Sequence, residues 1–78
     1  MRYVYLLKNS TGLHYVGSTD DLSTRLSLHN AGKVASTARS RPWSIHLAIR
    51  FADDHRANEF ERYLKSGSGH AFANRHLW

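Results

Sequence analysis

Three stretches of the chain are rich in aromatic and β-branched residues and predict β-strands, at 2–8, 13–17 and 42–51. The first, RYVYLLK, has apolar side chains at odd and even positions alike, which predicts a central strand covered on both faces. In the third, every second residue from Trp43 to Phe51 is apolar and the residues between them are polar or small. This alternation predicts that the five apolar side chains share one face of the sheet.

The turn residues NSTG separate the first two strands and predict a β-hairpin. If Leu7 faces Leu13, then Tyr5 lies directly opposite Tyr15 on the same face, whereas a four-residue loop would place the two tyrosines on opposite faces. We expect the first register because it buries the two leucines together. Gly12 is then expected to supply the positive φ that such a loop needs.

Three further segments have the caps or spacing of helices, at 20–32, 53–67 and 69–78. The first two are expected to begin at aspartates, and to end at Gly32 and Gly67 respectively. Gly17 is expected to end the second strand so that the chain can turn into the first helix, and the basic segment 33–41 is expected to be a loop. The order β-β-α-β-α-α predicts an α/β fold, a small sandwich in which helices flank a three-stranded antiparallel sheet.

The length of 78 residues predicts a single domain, 1–78. Eleven Lys and Arg face six Asp and Glu, so the formal charge is +5 and the sequence pI is near 10.1. Such a charge favours polyanionic partners, although it defines no site. The chain has no cysteine, which excludes disulfides and thiolate metal sites. Without a membrane-length apolar run or a signal sequence, we expect a cytoplasmic protein that does not enter a membrane.

Glu61 is a carboxylate on the apolar stripe of the second long helix, between Ala57 and Leu64. A charge in that position needs a partner. One interpretation is a structural ion pair, for which Arg25 is a candidate. The other is a ligand for a hard cation, since Mg²⁺ needs few protein carboxylates and keeps waters for a phosphate substrate.

Four more side chains are predicted on inward-facing sides. Tyr5 and Tyr15 are either packing residues of the sheet or phenols that orient or deprotonate a water molecule. Arg25 either packs beside the apolar face or binds a phosphate with its planar guanidinium. His29, one turn later, is expected beside Arg25 on the helix surface, as an ordinary surface residue, a general acid or base, or a phosphate ligand.

Taken together, the stretches YVY (3–5), YVG (15–17), DLSTRLSLHN and ANEFERYLK resemble the GIY-YIG nuclease domain over nearly the whole chain. The resemblance is greatest to the short single-domain bacterial type, which is named after an excision-repair nuclease or called UPF0213-like. Tyr5 and Tyr15 stand at the tyrosines of the two motifs. Tyr3 stands where the first motif usually has glycine.

The resemblance implies a metal-dependent endonuclease that hydrolyses phosphodiester bonds in nucleic acid, which we expect to be DNA, single-stranded or structured, without strong sequence specificity. It implies that Glu61 holds one Mg²⁺ or Mn²⁺ and that Arg25 stabilises the pentacovalent phosphate. It also implies that Tyr5 or Tyr15, with His29, activates the attacking water, and leaves open which tyrosine does so. The residues expected to bind the substrate are Gly17, Ser18, Thr19, Lys33, Arg39, Arg41 and, for the asparagine that many members carry late in the domain, Asn74.

Two other functions compete with the enzyme. One is a catalytically weak nucleic-acid-binding module that acts with a partner, and the other is an inert small protein whose partner supplies specificity. The presence of both Arg25 and Glu61 favours the enzyme. The near-minimal size is compatible with a monomer or a weak homodimer.

Overall fold

A computed structural model describes all 78 residues. The chain forms a three-stranded antiparallel sheet and three α-helices in the order β-β-α-β-α-α, as predicted. None of the helices combines the length and the apolar character needed to cross a bilayer. The elements are β1 (Arg2–Asn9), β2 (His14–Thr19), α1 (Leu22–Asn30), β3 (Trp43–Phe51), α2 (Asp54–Leu64) and α3 (Gly67–His76), with a short 3₁₀ turn at Ala38–Ser40.

β1 is the central strand, as its two apolar faces predicted, and the strand order is β2-β1-β3. Its odd-numbered and even-numbered side chains enter two separate cores, one on each side of the sheet. We call these sides the α2 face and the α1 face after the helices that cover them. The α2 face holds Val4, Leu6, Ala57, Leu64 and Ala73, and the α1 face holds Tyr5, Leu7 and Trp43, packed against Leu22 and Leu26.

The hairpin register differs from the expected one by two residues. Tyr5 pairs with Gly17 and Leu7 pairs with Tyr15, so the two tyrosines are diagonal neighbours rather than directly opposite. Because side chains alternate with a period of two, a shift of two leaves both tyrosines on the same face. Their ring centroids are 6.3 Å apart.

The turn between β1 and β2 is longer than expected, and this explains the shift in register. The side-chain oxygen of Asn9 accepts hydrogen bonds from the backbone N–H groups of Thr11 and Leu13, at 3.2 Å and 2.8 Å, and so closes the loop before β2 begins. Gly12 has a φ of +87°, as predicted. The expected burial of Leu13 was wrong, since this side chain lies in the turn and is 52% exposed.

A β-bulge interrupts the alternation predicted along β3. Consecutive β1 residues Leu6 and Leu7 pair with Leu47 and Ile45, which leaves His46 as an extra residue. Trp43 and Ile45, before the bulge, therefore lie on the α1 face, and Leu47, Ile49 and Phe51, after it, lie on the α2 face. The prediction that all five apolar residues of this strand share one face was wrong.

The junction between α2 and α3 is tighter than expected. α2 ends at Leu64 rather than at Gly67, which instead begins α3 after the cap residue Ser66. The cap hydroxyl accepts a hydrogen bond from the N–H of Gly69 at 3.2 Å. A Cβ at this glycine would lie 2.5 Å from the carbonyl carbon of Tyr63, so the close contact between the helices needs glycine there.

Candidate active site

The hydroxyl of Tyr5 is the centre of a hydrogen-bonded chain on the α1 face. It lies 2.9 Å from Nε2 of His29, and Nε of Arg25 donates to it over 3.4 Å. His29 is completely buried rather than on the helix surface as expected. Its Nδ1 lies 2.7 Å from the hydroxyl oxygen of Thr37. One helical turn of α1 thus brings a guanidinium and an imidazole to the same phenol.

The loop 33–41 covers these hydrogen-bonded side chains, and its Thr37 makes the contact with His29. The indole Nε1 of Trp43 donates to the Thr37 carbonyl at 3.0 Å. Asn30, at the end of α1, accepts from the backbone N–H of Trp43 at 2.6 Å and donates to its carbonyl at 3.0 Å. The loop that carries several cations is therefore fixed at its midpoint beside His29.

On the α2 face, the carboxylate of Glu61 has a different set of partners. Oε1 accepts from the hydroxyl of Ser18 at 2.7 Å, and Oε2 accepts from Nζ of Lys65 at 2.9 Å. Ser18 also accepts from Nε of Arg2 at 3.3 Å. The Glu61 side chain keeps 22% of its surface exposed. The ion pair suggested between Glu61 and Arg25 does not form.

The hydrogen-bonded groups of the α1 face and those of the α2 face come together around β2, which is an edge strand of the sheet. Nζ of Lys65 lies 6.0 Å from the ring centroid of Tyr15, and this ring lies 5.0 Å from the imidazole of His29. The structure thus gathers the five residues predicted to be catalytic around one strand, with one predicted substrate-binding serine. The β2-edge site comprises Tyr5, Tyr15, Ser18, Arg25, His29, Glu61 and Lys65.

Gly17 lies inside β2 rather than at its end, because the strand continues to Thr19. A Cβ at Gly17 would come within 2.6 Å of Cζ of Tyr5 and 3.0 Å of a ring carbon of Tyr15. The ring of Tyr5 therefore packs directly against the backbone of Gly17. The reason for glycine is close packing and not the change of chain direction that we expected.

We predict that Gly17→Ala lowers the free energy of unfolding by about 1–3 kcal/mol, since the added methyl group overpacks the tyrosine. Urea unfolding measures the change. The matched control is Gly67→Ala, where a Cβ meets nothing within 4 Å, and we expect a change within about 0.5 kcal/mol. Equal unfolding midpoints for the two variants would contradict the packing argument.

The other predicted substrate-binding residues are not joined to the β2-edge site by hydrogen bonds. The buried hydroxyl of Thr19 accepts from the N–H of Asp21 at 3.1 Å and so supports the start of α1. Asn74 is exposed on α3. Three cations are exposed along the loop after α1, namely Lys33, Arg39 and Arg41.

Sequence reasoning missed two residues with prominent contacts, Lys65 and Thr37. The first had a usable signal, because Glu61 and Lys65 are four residues apart on one helix and a glutamate placed before a lysine at that spacing favours an ion pair. Thr37 had none, since it lies in a loop without periodicity.

Burial and local charge set the protonation states of the site. Burial raises the pKa of Tyr5, and the hydrogen bond from Arg25 opposes this effect. Burial and the charge of Arg25 both lower the pKa of His29. Burial alone would raise the pKa of Glu61, but its two hydrogen bonds and the nearby ammonium outweigh burial, so this pKa is lowered. Near neutral pH the site therefore holds a neutral phenol, a neutral imidazole and an ionised carboxylate.

The lowered pKa of His29 predicts that the protein loses stability as the pH falls below about 6.5, the ordinary imidazole value. The unfolded chain takes up a proton there more readily than the folded chain, so the stability from His29 is complete above that pH and decreases below it. Urea unfolding between about pH 5 and pH 8 measures the slope, which should be smaller in His29→Gln. His14 also has a lowered pKa, through burial and the charge of Lys8. The His14→Gln control should keep the His29 component, and identical slopes for wild type and His29→Gln would refute the assignment.

Residues 1–74 match the sequence profile of the GIY-YIG catalytic domain. The fold and the site thus define a nuclease-family domain, and the chain belongs to the GIY-YIG family. It is 39% identical over 64 residues to a UPF0213 protein of Streptococcus pneumoniae, covering 81% of this chain and 65% of that relative's length. A UPF0213 protein of Lacticaseibacillus paracasei is 39% identical over 69 residues, with 87% of this chain and 78% of the relative covered.

A solved structure agrees with these sequence matches. The solution NMR structure of the UPF0213 protein BH0048 from Bacillus halodurans superposes with a TM-score of 0.59 and 28% identity, covering 99% of this chain and 86% of that one. The family resemblance inferred from the motifs is therefore confirmed.

Proposed function

We propose that this chain is a divalent-metal-dependent endonuclease that hydrolyses phosphodiester bonds in DNA without strong sequence specificity. The observation that carries the proposal is the position of the Arg25–Tyr5–His29 chain beside the ionised carboxylate of Glu61, around one edge strand. A guanidinium, a phenol with a proton acceptor and a hard-cation ligand can supply the charge stabilisation, the proton transfer and the Lewis acid that accelerate phosphodiester hydrolysis. The formal charge of +5 supports an anionic polymer as the substrate.

The residues around Glu61 suit one hydrated ion. No group of three or more His, Cys, Asp or Glu side chains converges here, and Mg²⁺ needs only one or two carboxylates when it keeps its waters. Oε1 accepts a single neutral hydrogen bond from Ser18 and keeps a second lone pair. Asn58, Arg62 and Lys65 line an open cleft of about 390 Å³ with Glu61. A bound Mg²⁺ or Mn²⁺ would polarise a non-bridging phosphate oxygen and stabilise the leaving 3′ oxygen.

We assign the general base to Tyr5. The hydroxyl of Thr37 lies 3.4 Å from the carbonyl of Val34, which can only accept, so we assign the Thr37 proton to that carbonyl and the Nδ1 proton of His29 to Thr37. Nε2 of His29 is then free to accept the Tyr5 proton. Tyr5 can then take a proton from the attacking water while its own proton moves to Nε2 of His29. The hydroxyl of Tyr15 has no hydrogen-bond partner within the protein, so we assign this residue to orienting the substrate or to packing.

Arg25 also controls access to the base, because Tyr5 is only 2% exposed. The hydrogen bond from Arg25 is long at 3.4 Å, so it costs little to break. When the guanidinium turns to a substrate phosphate, it uncovers the phenol on the same side. The exposed cations of the loop after α1 would then contact the flanking backbone of the nucleic acid.

The test is cleavage of labelled single-stranded, duplex and branched DNA with Mg²⁺, with Mn²⁺ and with a chelator. A Glu61→Gln preparation, purified identically, reports contaminating nucleases. Metal-dependent cleavage by the wild type alone supports the proposal and identifies the preferred substrate. Binding without cleavage would support the nucleic-acid-binding module instead, and equal cleavage by both preparations would refute the role of this site.

A further inference from the structure

Lys65 is a cation placed on the carboxylate that we propose as the metal ligand. Its Nζ lies 2.9 Å from Oε2 of Glu61 and 6.0 Å from the ring centroid of Tyr15, so it stands between the two halves of the β2-edge site. We propose that Lys65 is a movable counter-cation that makes the binding of the divalent metal and the binding of a nucleic-acid phosphate depend on each other. This inference rests on the proposed function.

The contacts of Glu61 explain why the metal and the lysine compete. Oε1 is held by Ser18, which is itself held by Arg2, so the carboxylate is fixed in orientation. Oε2 has Lys65 as its one partner. A divalent ion on Glu61 would therefore lie beside an ammonium of the same sign of charge, and the two repel. The free protein is expected to bind the metal weakly for this reason.

The Lys65 side chain is able to leave. It is 52% exposed, and its ammonium is a compact charge on a flexible stem of four carbons. The ion pair that it breaks is partly exposed and of the kind that contributes little to stability. Arg2, by contrast, donates to both the hydroxyl and the carbonyl of Ser18 and is less free to move.

A phosphate in the cleft supplies the new position for the ammonium. Once Lys65 contacts a phosphate oxygen, Oε2 of Glu61 is free and the affinity for the metal rises. By linkage, the metal must raise the affinity for nucleic acid by the same factor. Lys65 is in this sense a positioning residue that keeps the site from retaining metal without substrate.

The experiment measures Mn²⁺ binding by the electron paramagnetic resonance signal of the free ion. It compares wild type, Lys65→Gln, Arg62→Gln and Glu61→Gln, each with and without a short phosphorothioate oligothymidylate whose own Mn²⁺ binding is subtracted. Arg62→Gln is the matched control, because it removes the same charge from the same cleft without touching Glu61. Thermal unfolding verifies that each variant is folded.

We expect the oligonucleotide to tighten Mn²⁺ binding to wild type about fivefold. Lys65→Gln should bind Mn²⁺ about fivefold more tightly than wild type without oligonucleotide, and should gain little from its addition. Arg62→Gln should change by less than about twofold and should keep the coupling.

Four results would overturn the inference or the metal site on which it rests. An equal gain in Mn²⁺ affinity in Lys65→Gln and Arg62→Gln would show a general effect of charge. Weaker Mn²⁺ binding in Lys65→Gln than in wild type would show that the lysine helps to hold the metal ion. Equal Mn²⁺ affinity in a Glu61→Gln variant, or no binding in any variant, would overturn the proposed metal site itself. These last two results would separate failure of the proposed function from failure of the coupling alone.

Discussion

Replacing Glu61 by glutamine is expected to lower kcat/KM for metal-dependent cleavage by at least about 10³-fold, which corresponds to about 4 kcal/mol of transition-state stabilisation. Glutamine has nearly the same shape and keeps an oxygen that accepts from Ser18, but it lacks the negative charge that holds a divalent ion. Lys65 loses its ion pair and is half-exposed, so the protein should remain folded.

The matched control for Glu61→Gln is Glu59→Gln. Glu59 lies on the same helix, is 51% exposed, and has only the exposed His55 as a partner, at 3.7 Å. The control removes the same charge from α2 outside the site and should change kcat/KM by less than about twofold. Similar losses in both variants would indicate a long-range effect of charge and would contradict the role of Glu61 as metal ligand.

Tyr5→Phe is expected to reduce kcat by about 10³-fold, the scale of a lost general base. The phenylalanine ring still fills the α1 face, but the proton path to His29 and the hydrogen bond from Arg25 are both lost. Nε2 of His29 is also left buried without a partner, so we expect a stability loss of about 1–3 kcal/mol. Single-turnover cleavage, measured where urea unfolding shows each variant to be folded, separates the two effects.

Tyr15→Phe is the control for Tyr5→Phe, because the Tyr15 hydroxyl has no partner within the protein. The structure predicts a loss of less than about tenfold in kcat and little change in stability. A larger loss in Tyr15→Phe than in Tyr5→Phe would transfer the role of general base to Tyr15. Similar moderate losses in both would mean that neither phenol removes the proton.

Local pattern was enough to predict the order of the elements and much of the site. β1 was predicted as the central strand because both of its faces are apolar, and α1 and α2 begin after the aspartate caps Asp21 and Asp53. Tyr5 and Tyr15 share a face in the expected register and in the observed one, since only an odd shift would separate them. Glu61 was recognised as a candidate site residue because a carboxylate on the apolar stripe of a helix needs a partner.

Contacts that the periodic pattern does not encode decided the remainder. The side chain of Asn9 closed the turn and set the hairpin register, and the bulge at His46 placed the alternating apolar residues before and after it on opposite faces of the sheet. Burial of His29 depends on the loop around Thr37, which has no periodic signal. Periodicity reports which face a side chain shares with its neighbours in sequence, but it carries no information about which distant group occupies that face. The sequence by itself therefore predicted every chemical group of the β2-edge site except Lys65. Only the tertiary structure decided that Tyr5 bonds to His29 and Arg25 while Glu61 bonds to Ser18 and Lys65.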